Sequence, residues 1–327
     1  MKRIVKKYIE KKDHCFDKAV YEKESVKKIA DNFCEDYDPK IEDIDFISAR
    51  IGATRGEDIC DEPIRMETHS IFNKDHYVSY RSYEAKEAKD KIILFIHGGG
   101  FITGYVRDKD AQCKYLAKQS QAKVLAIEYR LAPECMFPGA LEDCLALVDH
   151  IRKTTTAKII IGGDSAGANL ATVCCLQRPG QIDMAFLLYG AFDLERAEDT
   201  DYHWDYSLYE MDPKQEDLIK NRLLRFKKLA VDMKKSYIPE GMDVRDERIS
   251  PFYAEDLERM PKTMMIEAEF DYYRICNEHF AKKLYDAGVD LQEIFYEGVD
   301  HAFMDSLGKI PQAKDCLDEI GKAVREL

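Results

Sequence analysis

The sequence predicts an α/β fold: a mostly parallel sheet of eight strands with helices on both faces and a helical cap over one end. Short apolar runs recur along the chain, "IILFI" (92–96), "VLAI" (124–127), "KIIIGG" (158–163), "MAFLLYG" (184–190), "TMMIEAE" (263–269) and "LQEIFYE" (291–297), mostly with helical stretches between them. Buried runs alternating with helices are the pattern of parallel strands joined by crossovers. A second observation is "KIILFIHGGGFITG" (91–104), where a strand runs straight into three glycines. A third is the interval from Phe192 to about Arg248, charged, aromatic and helical in character, with no convincing strand. An insertion of that size between strands usually builds a layer of its own.

Along the chain, the first 45 residues place Ile4, Val5, Tyr8 and Ile9, then Phe16, Ala19 and Val20, then Val26, Ile29, Ala30 and Phe33 on one apolar stripe. That spacing predicts helices, broken near Asp38-Pro39, with the lysines between as a solvated face. Ile64 to Tyr83 is short-patterned and strand-like, and "FNKDH" (72–76) reads as the turn of a hairpin. The hairpin and the six runs make eight strands. The expected division is therefore 1–45 as N-terminal cap helices, 46–192 and 249–327 as the core, and 193–248 as the cap insertion.

The 327 residues are 45% apolar, an ordinary share for a packed globular protein. The formal net charge of −13 opposes general binding to nucleic acid or to anionic lipid surfaces, so small or neutral substrates are expected. No apolar run approaches the length of a membrane span, and "MKRIVKKYIEKKDHC" lacks the apolar middle of a signal peptide, which points to a cytoplasmic protein. The ten cysteines lack the regular pairing of a small secreted scaffold, and Cys174 and Cys175 read as core fillers. No cysteine and histidine cluster has zinc-like spacing, so neither a metal nor a cofactor is expected. The sequence leaves the oligomeric state open, a homo-oligomer included.

Chemistry concentrates in "KIIIGGDSAGANLA", where Ser165 lies between a strand and a helix inside G-x-S-x-G, formed by Gly163, Asp164, Ser165, Ala166 and Gly167. A serine at such a corner stands above the sheet in a strained conformation, and the following helix N-terminus favours developing negative charge. Serine needs a base to take its proton and a carboxylate to orient that base. "EGVDHAF" supplies His301 after the last strand, and "MIEAEFDYYR" supplies Asp271 just beyond the preceding one. Both then fall at the end of the sheet where Ser165 sits. Glu267 and Glu269 are alternative acids within the strand, and Asp300 is expected to point away from His301. His14, His69, His76, His150, His203 and His279 are placed as surface or core residues. The three glycines gain a role here, because attack on a carbonyl creates an oxyanion that needs preorganised donors. The amides of Gly99, Gly100 and Ala166 can supply them, whereas neither G-x-x-x-x-G-K-[ST] nor G-x-G-x-x-G is present to make a phosphate cradle.

These segments, "HGGGF" (97–101), "YRLAPE" (129–134), "FPGALEDC" (137–144), "GDSAGANLA" (163–171), "SPFYA" (250–254), "AEFDYYR" (268–274) and "GVDHAF" (299–304), together resemble the hormone-sensitive lipase branch of the α/β-hydrolases. The likeness runs in order from about Lys91 to Phe303. It implies an α/β-hydrolase fold, carboxylesterase activity, Ser165 as nucleophile, His301 as base and acid, Asp271 as orienter, and Gly99, Gly100 and Ala166 as oxyanion hole. It also implies bracing roles for His97, Glu134, Asp143 and Asn169, and a cap built from the N-terminus and the insertion. Two departures stand out. Tyr272 and Tyr273 replace Pro and Leu of the usual D-P-L-R-D, with Arg274 retained, and Ala302 fills the glycine position of the usual H-G-F.

The expected function is hydrolysis of short-chain, acetyl-like esters, with a small-molecule ester as the partner and no stable membrane association. Trp204, Tyr202, Tyr206 and Tyr209 are candidates for stacking on a ring, or for packing within the cap. Two other classes share the machinery. A small-molecule receptor derived from such a hydrolase would show loss of a catalytic group, and Ser165, Asp271 and His301 are all present. An amidase or peptidase would use the same triad with a donor for the amine leaving group.

Overall fold

The computed structural model describes residues 2–6, 38–51, 55–88, 90–195, 200 and 202–327. Its elements in chain order are β1 (Lys2–Lys6), α1 (Phe46–Ile51), β2 (Arg65–Asn73), β3 (His76–Glu84), β4 (Lys91–Ile96), α2 (Asp110–Ser120), β5 (Lys123–Glu128), α3 (Gly139–Thr154), β6 (Lys158–Asp164), α4 (Ala166–Gln177), β7 (Met184–Leu188), α5 (Glu216–Tyr237), β8 (Lys262–Phe270), α6 (Arg274–Asp286), β9 (Leu291–Asp300) and α7 (Pro311–Arg325). One sheet runs in the order β1-β9-β8-β7-β6-β4-β5-β3-β2. Only β2 with β3 and β3 with β5 pair antiparallel; all the other neighbours are parallel.

Alternation along each strand splits the core into two halves. From β4, Leu94 and Ile96 go to one face with Leu147 and Val148 of α3, Leu170 of α4 and Phe280 of α6. Ile93 and Phe95 go to the other, with Leu116 of α2 and Leu317 and Ile320 of α7. Both faces are covered, so the central strands are mainly apolar, with Glu267 and Glu269 of β8 and Glu293 of β9 as buried exceptions. That continuity is what made six of them readable. Cys174 and Cys175 are buried in α4.

The hairpin forms as read, with Phe72 opposite Tyr77 and Asn73 opposite His76. The expected eight strands are nine among the described residues. Ile4 and Val5, expected on a helix, lie in β1, which pairs parallel with β9 in the register Ile4 to Ile294 and Val5 to Phe295. A short β-branched pair between basic residues has too few residues to hold an isolated helix, while the free edge of β9 offers it a row of hydrogen bonds. Arg3 Nη2 bonds Glu278 Oε1 at 3.0 Å and Lys6 Nζ bonds Glu319 Oε1 at 2.6 Å, fixing the strand in place. The rest of the expected N-terminal stripe, Tyr8 to Phe33, lies outside the described residues. No described helix is long and apolar enough to cross a membrane.

The interval 193–248 contains no strand among its described residues and is dominated by the 22-residue α5. Asn169 secures its two ends to the core. The Asn169 amide donates to the carbonyl of Ala191 at 2.7 Å, where the chain leaves β7, and to that of Ile249 at 2.9 Å, where it returns.

Candidate active site

Ser165 joins β6 to α4 with φ 55° and ψ −117°, a backbone conformation that L-residues avoid and that neighbouring structure must enforce. Its own N–H donates to the Leu188 carbonyl at 2.9 Å, and its carbonyl accepts from Ala191 at 3.3 Å. A Cβ at Gly163 would stand 2.2 Å from the Ile96 carbonyl oxygen, so only glycine lets this corner pass against β4.

The structure brings Ser165, Asp271 and His301 together from the ends of β6, β8 and β9. His301 Nε2 lies 2.8 Å from Ser165 Oγ, and His301 Nδ1 lies 2.8 Å from Asp271 Oδ2. A carboxylate can only accept, so Nδ1 carries the proton, Nε2 keeps its lone pair and the serine hydroxyl donates to it. The other oxygen of Asp271 accepts from the Tyr273 amide at 2.8 Å. Tyr209 OH donates to the Asp271 carbonyl at 2.7 Å and accepts from Trp204 Nε1 at 2.8 Å, so the insertion reaches down to the acid's loop. Rings of Phe226, Tyr189 and Tyr273 surround the imidazole at 4.5, 5.0 and 5.6 Å.

The glycine turn closes on itself, because the amides of Ile102 and Thr103 both donate to the Gly99 carbonyl, at 3.1 and 2.9 Å. Gly99 has φ 121°, and a Cβ there would stand 2.1 Å from the Thr103 carbonyl oxygen. Gly98 N–H donates to Asp164 Oδ1 at 2.9 Å, fastening the turn to the residue before the serine. No hydrogen bond among the described residues uses the N–H of Gly99, Gly100 or Ala166. A cavity of about 280 Å³ is lined by Gly99, Gly100, Ser165 and His301 on one side and by Phe226, Leu229 and Met233 of α5 on the other.

His97 braces the turn from beneath. Its Nδ1–H donates to the Gly98 carbonyl at 2.8 Å, its ring stacks on Tyr129 at 4.3 Å, and Tyr129 OH donates to its carbonyl at 2.9 Å. Burial of this ring lowers its pKa to about 4. Asp143 accepts from the Arg130 amide at 3.0 Å and from the Arg130 guanidinium. Glu134 pairs with Arg50, which also donates to the carbonyls of Ile102 and Ala132, and the hydrogen bond from Arg50 holds the Glu134 carboxyl down at about 2.

The other candidates are elsewhere. Glu269 Oε2 accepts from the Gly298 amide at 2.8 Å, and Glu267 is buried in the sheet, so neither meets His301. Asp300 is turned to Arg222 of α5. His69 bonds Ser82 Oγ at 3.0 Å and His76 bonds Asp143 at 2.7 Å; His150, His203 and His279 do not line the cavity, and His14 lies outside the described residues. Trp204, Tyr202, Tyr206 and Tyr209 do not line it either, and Trp204 packs on Tyr206 and Tyr209 within the insertion and on Tyr272 of the acid's loop. The two departures are accommodated. Ala302 takes the left-handed conformation that glycine would adopt, at φ 65° and ψ 25°, and Tyr273 forms part of the cavity wall.

Reasoning from sequence missed Lys109, Asp305 and the α5 side chains of the wall. Asp164 alone carried a signal, as a charged residue directly before a buried serine.

A strained serine between strand and helix, with acid and base just beyond the ends of the last two strands, defines an α/β-hydrolase. Residues 93–305 match the model of the alpha/beta hydrolase fold family, and the chain belongs to it, within the hormone-sensitive-lipase-like branch that its motifs resemble. It is similar to an arylesterase of Saccharolobus solfataricus, 28% identical over 248 residues that cover 71% of this chain and 75% of the relative. An ethyl acetate hydrolase of Pseudomonas putida is 26% identical over 284 residues, 81% of this chain and 84% of that one. Among solved structures, a hyperthermophilic esterase from the archaeon Pyrobaculum calidifontis superposes with a TM-score of 0.75 at 25% identity, covering 95% of this chain and 98% of the other.

Proposed function

We propose that the protein is a serine carboxylesterase that hydrolyses short-chain, acetyl-like esters. The observation that carries this is the unbroken line of hydrogen bonds from Ser165 Oγ through His301 to Asp271, opening on a cavity rimmed by unused glycine amides. Ser165 Oγ adds to the ester carbonyl carbon as its proton passes to His301 Nε2. Asp271 stabilises the resulting imidazolium through Nδ1–H. The carbonyl oxygen becomes an oxyanion, met by the amides of Gly99, Gly100 and Ala166; loss of one such donor typically costs on the order of 100- to 1000-fold in rate. The C–O bond to the alcohol breaks as His301 returns the proton to the leaving oxygen. Water then gives a proton to His301 and attacks the acyl carbon, and Ser165 regains its proton as the acid departs.

The cavity supports a small substrate: at about 280 Å³ it falls just below the usual ligand pocket of roughly 300–1,000 Å³, and α5 closes it with Phe226, Leu229 and Met233 beside Arg225. The relative named as an ethyl acetate hydrolase is consistent with a short acyl group. The test is hydrolysis of p-nitrophenyl esters from acetate to dodecanoate, with Ser165→Ala in parallel. Activity should fall steeply beyond butyrate and disappear in the mutant while the fold persists. Turnover by Ser165→Ala near the wild-type rate would remove the serine mechanism, and a rate that rises toward dodecanoate would remove the short-chain assignment.

A further inference from the structure

Resting on the esterase reading of the site, we propose that Lys109 is a positioning residue, whose ammonium locks the oxyanion turn and the histidine loop at the separation that Ser165 and His301 require. Lys109 ends the short helical turn Val106–Lys109 and directly precedes α2. Its side chain is buried, and Nζ donates to Asp164 Oδ2 at 2.9 Å and to Asp305 Oδ1. Asp164 is the residue before Ser165, and its second oxygen holds the Gly98 amide at the start of the glycine turn. Asp305 lies in the turn Phe303–Ser306 that follows His301, with its own amide donating to the Ala302 carbonyl at 3.0 Å. One ammonium is therefore bonded to both loops whose spacing sets the reaction geometry.

A cation taken out of water is tolerated only when paired. Burial by itself would lower the lysine's hold on its proton, but Asp164, and then Asp305, outweigh it and raise the pKa. The ammonium thus stays charged while the enzyme works. Neither carboxylate replaces the other, because each belongs to a different loop and Nζ is bonded to both. Lys109 touches no reacting atom in this geometry; it acts through Asp164 and Asp305.

The test compares Lys109→Met, Lys109→Arg and Asp305→Asn in the full chain, with p-nitrophenyl acetate as substrate. It adds inhibition by a trifluoromethyl ketone, whose carbonyl carbon accepts Ser165 Oγ and leaves an alkoxide at the oxyanion position. Lys109→Met is expected to lose about 10- to 100-fold in kcat with KM within about threefold, since small misplacements of reacting groups cost on this scale. Affinity for the trifluoromethyl ketone should fall in proportion to kcat/KM. Lys109→Arg should recover most of both, and Asp305→Asn should lose less in the same direction, its effect not adding to that of Lys109→Met. A folded Lys109→Met with wild-type kcat and ketone affinity, its loss confined to thermal stability, would overturn the proposal. If Lys109→Met does not fold, Asp305→Asn decides by the same two readouts. Ser165→Ala separates the failures: turnover there overturns the esterase reading itself, whereas a dead Ser165→Ala beside an unimpaired Lys109→Met overturns only the positioning role.

Discussion

His97 accepts no partner at Nε2 among the described residues, so protonating its buried ring would add a donor with nothing to bond. Its pKa of about 4 lies below the ordinary histidine value, which means that the unfolded chain binds this proton more readily than the folded one. The stability it contributes is complete above about pH 6.5 and is lost as pH falls toward 4, a loss of roughly 3 kcal/mol at most. Asp305 has the opposite sign, since burial raises its carboxyl to about 6, and it favours the fold at low pH with that benefit lost as pH rises through 6. The windows overlap, so the informative quantity is the difference between wild type and His97→Gln, whose amide can still donate to Gly98. Urea midpoints taken from pH 4 to 7 should fall less steeply toward acid in His97→Gln; parallel curves would mean that another group titrates. At this scale the meeting of Ser165, Asp271 and His301 was legible because serine chemistry calls for those residue types and the strand order brings their loops to one end of the sheet. Lys109 was not, because a lysine in "VRDKDA" looks like any solvated charge until two distant carboxylates close on it.

Helix α5 roofs the site with one face. Phe226, Leu229 and Met233 recur at spacings of three and four, which places them in line on that face. Phe226 packs on the His301 ring at 4.5 Å, and Met233 lies so close to the glycine turn that a Cβ at Gly100 would stand 2.6 Å from its Cγ. The Tyr273 hydroxyl approaches Met233 Sδ at 3.9 Å from the acid's loop. Met233 is thus pressed between the glycine turn and the acid's loop, and on the proposed reading it shortens the space left for an acyl chain. Met233→Ala should cost about 2–3 kcal/mol of stability through the cavity it leaves. It should also raise the rate on hexanoate relative to acetate esters, and an unchanged ratio would show that the chain length is limited elsewhere. The helical character of the insertion was readable from composition, but the orientation of α5 was not. Ile219 and Leu223, on the same helix, are buried in the core, and periodicity marks an apolar face without saying whether protein or substrate fills the space beside it.

Across the whole molecule, the central strands declared themselves because each carries a run that is mainly apolar on both faces, whereas β1 holds only Ile4 and Val5 between basic residues. Such a segment has no fixed period of its own; its state is decided by β9, almost the whole chain away. The side chains around it show what the pairing adds. Arg3 meets Glu278 of α6 and Glu293 of β9, and Lys6 meets Asp315 and Glu319 of α7, so β1 ties its basic groups to three elements. Beside it, Glu267 and Glu293 are buried together; burial, then the neighbouring Glu293, pushes the Glu267 carboxyl well up, and Arg3 is one of the few cations opposing that rise. Removing residues 1–6 therefore does two things at once. It strips one of the cations, Arg3, from a buried acidic pair and leaves the β9 edge with a row of unpaired backbone groups, which invites pairing with another chain. The truncated protein should show a lower urea midpoint at pH 8 and self-association that grows with concentration in light scattering. Turnover in dilute solution should stay within about twofold of wild type, because β1 pairs with Gln292 to Tyr296 and stops short of the His301 loop, leaving the reacting geometry in place. A midpoint and size distribution identical to wild type would mean that the edge strand contributes nothing to the fold, whereas a large loss of kcat at low concentration would mean that β9 transmits its disorder to His301.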